Sequence, residues 1–406
     1  MAVRLDSKFP FLHRITIGTG GGAGNTDMLT FDYWYDKEQY QTSGAGVQVT
    51  KSTALKLAAY WRAVNLLSSQ IGSFPIGLYK RLPSGDTEEI TDHSAIYLLK
   101  TRPNMAMNPL IWRESMQANA LVHGNGYSFI ERNGTGDPIA LVMMDSEKTE
   151  PRTNGRELVY VSSSRTIDPY NVLHIPSLIL DGVEGKAILD AAAESMGVGL
   201  AMQKYTANFW KNGAKQTGVL MHPLSLSDEA RSGLRKSFDK KMKDKDGGTM
   251  LLDEGMKYHP TSIPPVQAQL LDSERFSVQE MARWFGIPPH LLFEESRSTF
   301  NNIAEQGMEF VRYTLTQWVS RWEAELNIKL LTSDQAKDHF FKLNMDSLLR
   351  GDLKSRYEAY ALGIQNSFLS PNEARRKEDL NSIPGGDIYA QQMNMQPLGK
   401  KDEDGE

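Results

Sequence analysis

The 406-residue chain contains no cysteine. Disulfides, thiolate nucleophiles and cysteine-based zinc sites are therefore excluded, and a reducing cytoplasm is the simpler expectation. Long apolar runs are missing as well. Nothing approaches the ~18–20 consecutive apolar residues that span a membrane. The opening MAVRLDSKFPFLHRITIG has no apolar h-region and no small-residue cleavage site, so no signal peptide is expected. There is no excess of basic charge either. Lys and Arg total 45 against 50 Asp and Glu, a net charge of -5. That argues against a chain coated in nucleic acid and leaves room for a local basic surface. What remains is ordinary: 40% hydrophobic and 23% charged residues. This composition fits a globular protein, and its length predicts roughly two to four folding units at ~100–200 residues each.

Signatures of catalysis are also lacking. The run Gly18-Thr19-Gly20-Gly21-Gly22-Ala23-Gly24 has phosphate-loop composition but neither a preceding strand nor a following helix. The nearest approach to G-x-x-x-x-G-K-[ST] is Gly185-Lys186-Ala187, without the hydroxyl that would hold magnesium. Histidines 13, 93, 123, 174, 222, 259, 290 and 339 form no metal-binding spacing, and no G-x-S-x-G elbow occurs. His174, on an apolar strand, reads as a satisfied core residue rather than a base. No catalytic residue, metal site or cofactor is expected.

The chain divides by composition. Residues 1–48 are glycine-rich with an aromatic patch, Phe31-Asp32-Tyr33-Trp34-Tyr35, and read as a flexible arm. Ser52 or Thr53 is the expected cap of one helix running to Pro75. IGLYKR (76–81) reads as a strand, and Asn108-Pro109 opens a helix that ends at Gly124 and Gly126. Strands follow at 126–132, 139–144, 157–162 and 171–176. A long helix is expected over 186–212, rich in alanine and glycine. Its Gly197 and Gly199 allow close packing on a neighbour, a second copy of the helix included. A small β-α-β-β unit comes next, whose helix near 228–246 carries seven basic residues against five acidic ones. That mixture suits a solvated face or a docking surface better than duplex reading. A returning helix (268–286), a polar loop (294–302), a third long helix (303–331) and a strand (339–345) follow. The last elements are two short helices, the second opened by the capping box Ser370-Pro371-Asn372-Glu373.

In this order the motifs resemble the portal proteins of tailed bacteriophages, the head-to-tail connector family. The resemblance runs from about Val49 to Pro397. It rests on Tyr60-Trp61-Arg62-Ala63-Val64-Asn65, Ile71-Gly72-Ser73-Phe74-Pro75, His123-Gly124-Asn125-Gly126-Tyr127, Val172-Leu173-His174-Ile175 and Phe209-Trp210-Lys211-Asn212-Gly213-Ala214. Stronger still are Arg283-Trp284-Phe285-Gly286-Ile287-Pro288-Pro289, Leu348-Leu349-Arg350-Gly351-Asp352, Leu369-Ser370-Pro371-Asn372-Glu373-Ala374-Arg375 and Pro384-Gly385-Gly386-Asp387. Ala304 and Gly126 depart from the family, which more often has an acid and an alanine there.

The resemblance implies an α+β, portal-type multi-domain fold that assembles into a ring. Its parts would be a mixed α/β wing (49–185), stem helix 1 (186–213), an α/β clip (214–262), stem helix 2 (263–290) and a tunnel loop (291–303). A long wing helix and strand (304–350), crown helices (351–395) and a tail (396–406) would complete it. Ser296, Arg297, Ser298, Thr299, Phe300 and Asn301 would then face the DNA channel. Lys204, Lys211, Lys215, Arg275 and Arg283 are stem candidates for the channel wall, with inter-subunit salt bridges as the competing role. Arg231, Arg235, Lys236, Lys240, Lys241 and Lys243 would form the clip's docking face. The implied partners are further copies of the chain (typically twelve), double-stranded DNA held without sequence preference, the terminase, the head–tail adaptor, and the major capsid and scaffold proteins. The implied place is the capsid vertex of a virion, assembled in the host cytoplasm without a membrane. A non-ring adaptor or scaffold, or a packaging enzyme, are the competing readings.

Overall fold

The computed structural model describes residues 43–153, 157–211, 218–221, 226–243, 256–260, 267–293, 306–345, 353–378 and 380–389. The first expected helix is two. Thr50, rather than Ser52 or Thr53, is the N-cap: its hydroxyl accepts from Thr53 N (3.2 Å) while Thr53 Oγ1 accepts from Thr50 N (2.7 Å). This capping box starts α1 (Lys51–Ala54). Leu57 is extended and buried, which breaks the chain before α2 (Ala58–Ser73). Phe74 ends α2 in an extended conformation, as the residue before a proline must. Next come β1 (Ile76–Arg81), β2 (Thr87–Ile90), α3 (Ser94–Lys100) and α4 (Pro109–His123). Asn108 caps α4 through Ile111 N (2.8 Å), and Gly124 closes it with φ of 82°.

Strands β3 (Asn125–Arg132), β4 (Pro138–Met143) and β8 (Val172–Pro176) form an antiparallel sheet in the order β4-β3-β8. Strands β5 (Thr149–Thr153), β6 (Leu158–Ser162) and β7 (Arg165–Ile167) form a second. The sequence reading missed β5, whose TEPRT has no apolar alternation, and the three-residue β7. β9 (Leu178–Ile179) and β10 (Gly185–Lys186) make a short hairpin into α5 (Ile188–Lys211). Strand β11 (Gly218–Met221), helix α6 (Asp228–Lys243) and strand β12 (Lys257–Pro260) follow, with β11 antiparallel to β12. The strand expected at GTMLLDE lies outside the described residues. Helix α7 (Gln267–Phe285) returns, and the third long helix contributes α8 (Thr316–Leu330). Strand β13 (His339–Leu343) joins β1 and β2 in the order β13-β1-β2. Helices α9 (Leu353–Gln365) and α10 (Pro371–Arg376) come last.

The third long helix carries a feature that its apolar spacing did not reveal. Residues Phe310–Leu315 are π-helical. Thr316 supports the wider turn, donating from both its amide and its hydroxyl (2.9 Å) to Val311 O, five residues back. Beyond this turn α8 runs between two sheets and closes an edge of each. Glu323 accepts from Leu343 N (2.8 Å) and Asn327 from Phe341 N (2.7 Å) on edge strand β13. Glu325 accepts from His174 N (3.0 Å) on edge strand β8. Side chains of one helix thus satisfy amides that an unprotected edge would offer to other chains.

The core lies under α8. Trp112 and Trp322 are fully buried and meet edge to face, 5.8 Å apart. Each indole finds a partner: Trp112 Nε1 donates to Ser128 Oγ (3.2 Å) and Trp322 Nε1 to Gln117 Oε1 (2.9 Å). Truncating either ring to alanine would cost about 3–5 kcal/mol. Arg113 is buried too. It donates from Nη1 to Leu99 O (3.0 Å) and from Nε to Gly72 O (3.1 Å), satisfying carbonyls near the ends of α3 and α2.

Candidate functional site

The long helices α5 and α7 hold the four described stem candidates, so their placement matters first. The connection into α5 is locked by a polar cluster. Asn125 Nδ2 donates to Gly185 O and Gly185 N donates to Asn125 Oδ1, both at 2.8 Å. That same oxygen lies 2.8 Å from His174 Nε2. An amide oxygen only accepts, so Nε2 carries the proton, and Nδ1 accepts from the Tyr160 hydroxyl at 3.1 Å. Tyr127 stacks on the imidazole with ring centres 4.5 Å apart. Burial drives the His174 pKa down to about 3, with Lys329 adding to the shift. His174 is therefore the neutral core residue that its strand suggested. At Gly185 no side chain fits, since a Cβ would lie 2.2 Å from Gly124 O and 2.7 Å from Ser177 N.

Helix α5 then packs on its own chain through its small residues. A Cβ at Gly197 would fall 2.2 Å from the Ser43 side chain, and one at Gly199 would fall 2.9 Å from Ser277 Oγ on α7. The neighbours that these glycines accommodate are thus the segment 43–49 and α7, not a copy of α5. Ser43 and Val49 are buried, and Gly44 N donates to both Glu194 carboxylate oxygens at 3.0 Å. Residues 43–48, expected in a flexible arm, are docked because a glycine opens the helix surface beneath them. Residues 1–42, with the aromatic patch, lie outside the described residues.

Helices α5 and α7 run antiparallel. Near one end Trp284 Nε1 and the Ser195 hydroxyl are 3.4 Å apart, while further along Gly199 faces Ser277. Between them lies an open groove of about 700 Å³ lined by Glu194, Ser195, Val198, Met202, Phe276 and Glu280, with Ser273 and Ser277. Spacings of i, i+4 and i+8 on α5 and of i, i+3, i+4 and i+7 on α7 place these residues on one face of each helix.

Of the channel candidates, Lys204 and Lys211 are exposed on α5, and Arg275 and Arg283 on α7. Arg283 pairs with Glu280, one turn before it. Lys215 and the whole set Ser296, Arg297, Ser298, Thr299, Phe300 and Asn301 lie outside the described residues, as does Ala304. The clip candidates Arg231, Arg235 and Lys236 are exposed on α6, which also carries Lys240, Lys241 and Lys243. Arg231 is 3.4 Å from Asp228, so part of this charge is balanced within the helix. Sequence reasoning missed Glu194 and Glu280, because isolated acids on an amphipathic helix look like solvated surface. Among the described residues no group of three or more His, Asp or Glu side chains could hold a metal ion, and no helix is long and apolar enough to cross a membrane.

Residues 58–379 match the profile of the phage portal protein family. The chain belongs to that family. Among curated portal proteins it is 28% identical to the portal protein of Enterobacteria phage HK97, over 85% of this chain and 83% of that one. It is 30% identical to the probable portal protein of Streptomyces phage phiC31, over 91% and 85%. The fold matches an HK97-family phage portal protein from Corynebacterium diphtheriae with a TM-score of 0.58 at 17% identity, covering 74% of this chain and 96% of the other. It also matches a chain in the neck of a native gene transfer agent particle, computed with C12 symmetry. There the TM-score is 0.53 at 19% identity, covering 82% and 94%. A portal protein is a structural part of the phage head at the capsid vertex, and the mixed helix-and-sheet body described above is the portal fold.

Proposed function

We propose that this portal protein assembles into a ring, typically of twelve subunits, around a channel for double-stranded DNA, and does no covalent chemistry of its own. The observation that carries this reading is the antiparallel α5–α7 pair, set rigidly on an α/β body in a chain of the portal family. The pair serves as the stem (186–213 and 263–290) and residues 49–185 as the wing. The 214–262 unit serves as the clip, which meets the terminase during packaging and the head–tail adaptor afterwards. Residues 291–303 form the tunnel loop, with Ser296 to Asn301 toward the DNA. Residues 304–350 cross the wing, and 351–395 build the crown inside the head, where capsid and scaffold proteins adjoin. Assembly takes place in the host cytoplasm.

The physical demand on such a channel is slip. Each phosphate neutralised by a lysine or arginine releases counterions and tightens binding, so a strongly basic wall would brake the DNA. A net charge of -5 and the internally paired Arg283 and Arg231 suit weak, sequence-independent contact. Light scattering with negative-stain microscopy on purified protein tests the reading. The expected particle is a ring with a central hole, about 550 kDa for twelve copies of the 45.5 kDa chain. A closed dimer without a hole would overturn it.

A further inference from the structure

The chain leaves α7 through a turn that ends on a strained residue. Pro288 and Pro289 fix φ at two consecutive positions, and a 3₁₀ turn, Pro289–Leu292, follows. Phe293 closes it with φ of 64° and ψ of 30°, in the left-handed region. Glycine reaches that region freely and a bulky side chain does not. The chain itself uses glycine in this way at Gly124 after α4 (82°) and at Gly286 after α7 (63°). Burial does not explain the exception, since Phe293 is 76% exposed. A strained residue persists only where its surroundings hold it.

What holds it is Arg62 of α2. The guanidinium lies over the Phe293 ring, 5.0 Å from its centroid, and Nε donates to Leu291 O at 3.2 Å. One planar cation thus takes both the backbone of the turn and the side chain at its end. Arg62 is half-buried and makes no ion pair among the described residues. Its support is firm: Tyr60, Ala63 and Val64 beside it are buried, and Tyr60 meets Phe285 of α7 edge to face at 5.4 Å. The returning chain is tied to the same turn. His290 Nδ1 donates to Gln306 Oε1 (2.8 Å), and the Thr314 hydroxyl donates to Gly286 O. Both flanks of the segment 294–305, itself outside the described residues, are therefore joined at one small turn.

We infer that Arg62 is a positioning residue: by holding Leu291 and Phe293 it sets the direction in which the chain enters the 291–303 loop. That this loop faces DNA rests on the reading above, whereas the hold on its root does not. Phe293 stands where glycine would be unstrained because its ring is what Arg62 stacks on.

Trypsin cleavage after Arg297, inside the loop, reads the hold in full-length protein whether or not rings have formed. Cleavage after Arg165, exposed on β7, is the internal reference. Phe293→Gly is expected to raise the relative rate at Arg297 at least fivefold while leaving the urea unfolding midpoint unchanged, because glycine removes the strain as the ring contact is lost. A ring kept only for stability would lower the midpoint in step with the faster cleavage, and that result overturns the inference. Arg62→Ala is expected to raise the rate as much. Arg62→Lys, which keeps a cation but cannot serve the carbonyl and the ring together, is expected to fall between. An unchanged rate in either Phe293→Gly or Arg62→Ala overturns the inference, even where negative-stain microscopy shows rings. The expected rates in protein that forms no ring would overturn the channel reading and leave the positioning role standing.

Discussion

Replacing Gly185 with alanine should loosen the base of α5 more than any exposed glycine change. The added methyl would sit 2.2 Å from Gly124 O, 2.7 Å from Ser177 N and 3.0 Å from Asn125 Oδ1. Two of these are backbone atoms, which cannot swing aside as a side-chain tip does. Relief requires the 185 segment to back away by about 1 Å, with an overpacking cost of about 1–3 kcal/mol. That movement stretches the paired Asn125–Gly185 hydrogen bonds and the Ser177 N to Gly124 O bond (2.8 Å). Each contributes about 1 kcal/mol net. The total is about 3–5 kcal/mol, partly overlapping because the same displacement relieves the clash and breaks the bonds. Gly182→Ala is the control. It adopts φ of 85° with nothing within 4 Å of a Cβ, so its cost is only the left-handed backbone, about 1–2 kcal/mol. Urea unfolding followed by tryptophan fluorescence reads the change, since Trp112 and Trp322 lie in the core. A Gly185→Ala midpoint no lower than that of Gly182→Ala would refute the locked junction.

Two further predictions concern buried polar groups. His174 is held neutral with its pKa lowered to about 3, so the unfolded chain binds a proton that the folded chain refuses between pH 6.5 and 3. Stability is then lost as pH falls through this window, by about 2 kcal/mol at pH 5. His174→Gln should be less stable at pH 7 but flatter below pH 6.5. Equal acid sensitivity of the two proteins in urea titrations would contradict the assignment. Arg113→Lys should lower the unfolding free energy by about 1–3 kcal/mol, because one ammonium cannot serve both Gly72 O and Leu99 O. A neutral effect would mean that water satisfies one of those carbonyls.

Much of this was legible in sequence wherever local chemistry decides the outcome. Asn108-Pro109 starts α4, Gly124 ends it, and Ser370 with Glu373 opens α10, because caps and breakers act within a few residues. The apolar stripe of α8 was readable for the same reason. The π-helical turn at Phe310–Leu315 was not, since inserting one residue into a turn barely alters a stripe of apolar positions. Pairing across long separations was also hidden. Nothing near Glu194 in the chain announces Gly44, 150 residues away, and nothing near Gly197 announces Ser43.

The hidden contacts share a logic that bears on how the body carries load. Glu323 and Asn327, four residues apart, share one face of α8, and Glu325 midway between them points to another side. Glu323 and Asn327 take the amides of β13, and Glu325 takes an amide of β8. His174, whose amide Glu325 holds, also bonds through its ring to Asn125, and Asn125 holds Gly185 at the entry to α5. An unbroken run of hydrogen bonds therefore links α8 to Gly185, three residues before α5 begins. Each member is buried or half-buried, where competing water is scarce and a hydrogen bond is electrostatically stronger than at the surface. Disrupting the Glu325 carboxylate should therefore loosen Gly185 as well as β8, since His174 and Asn125 join the two.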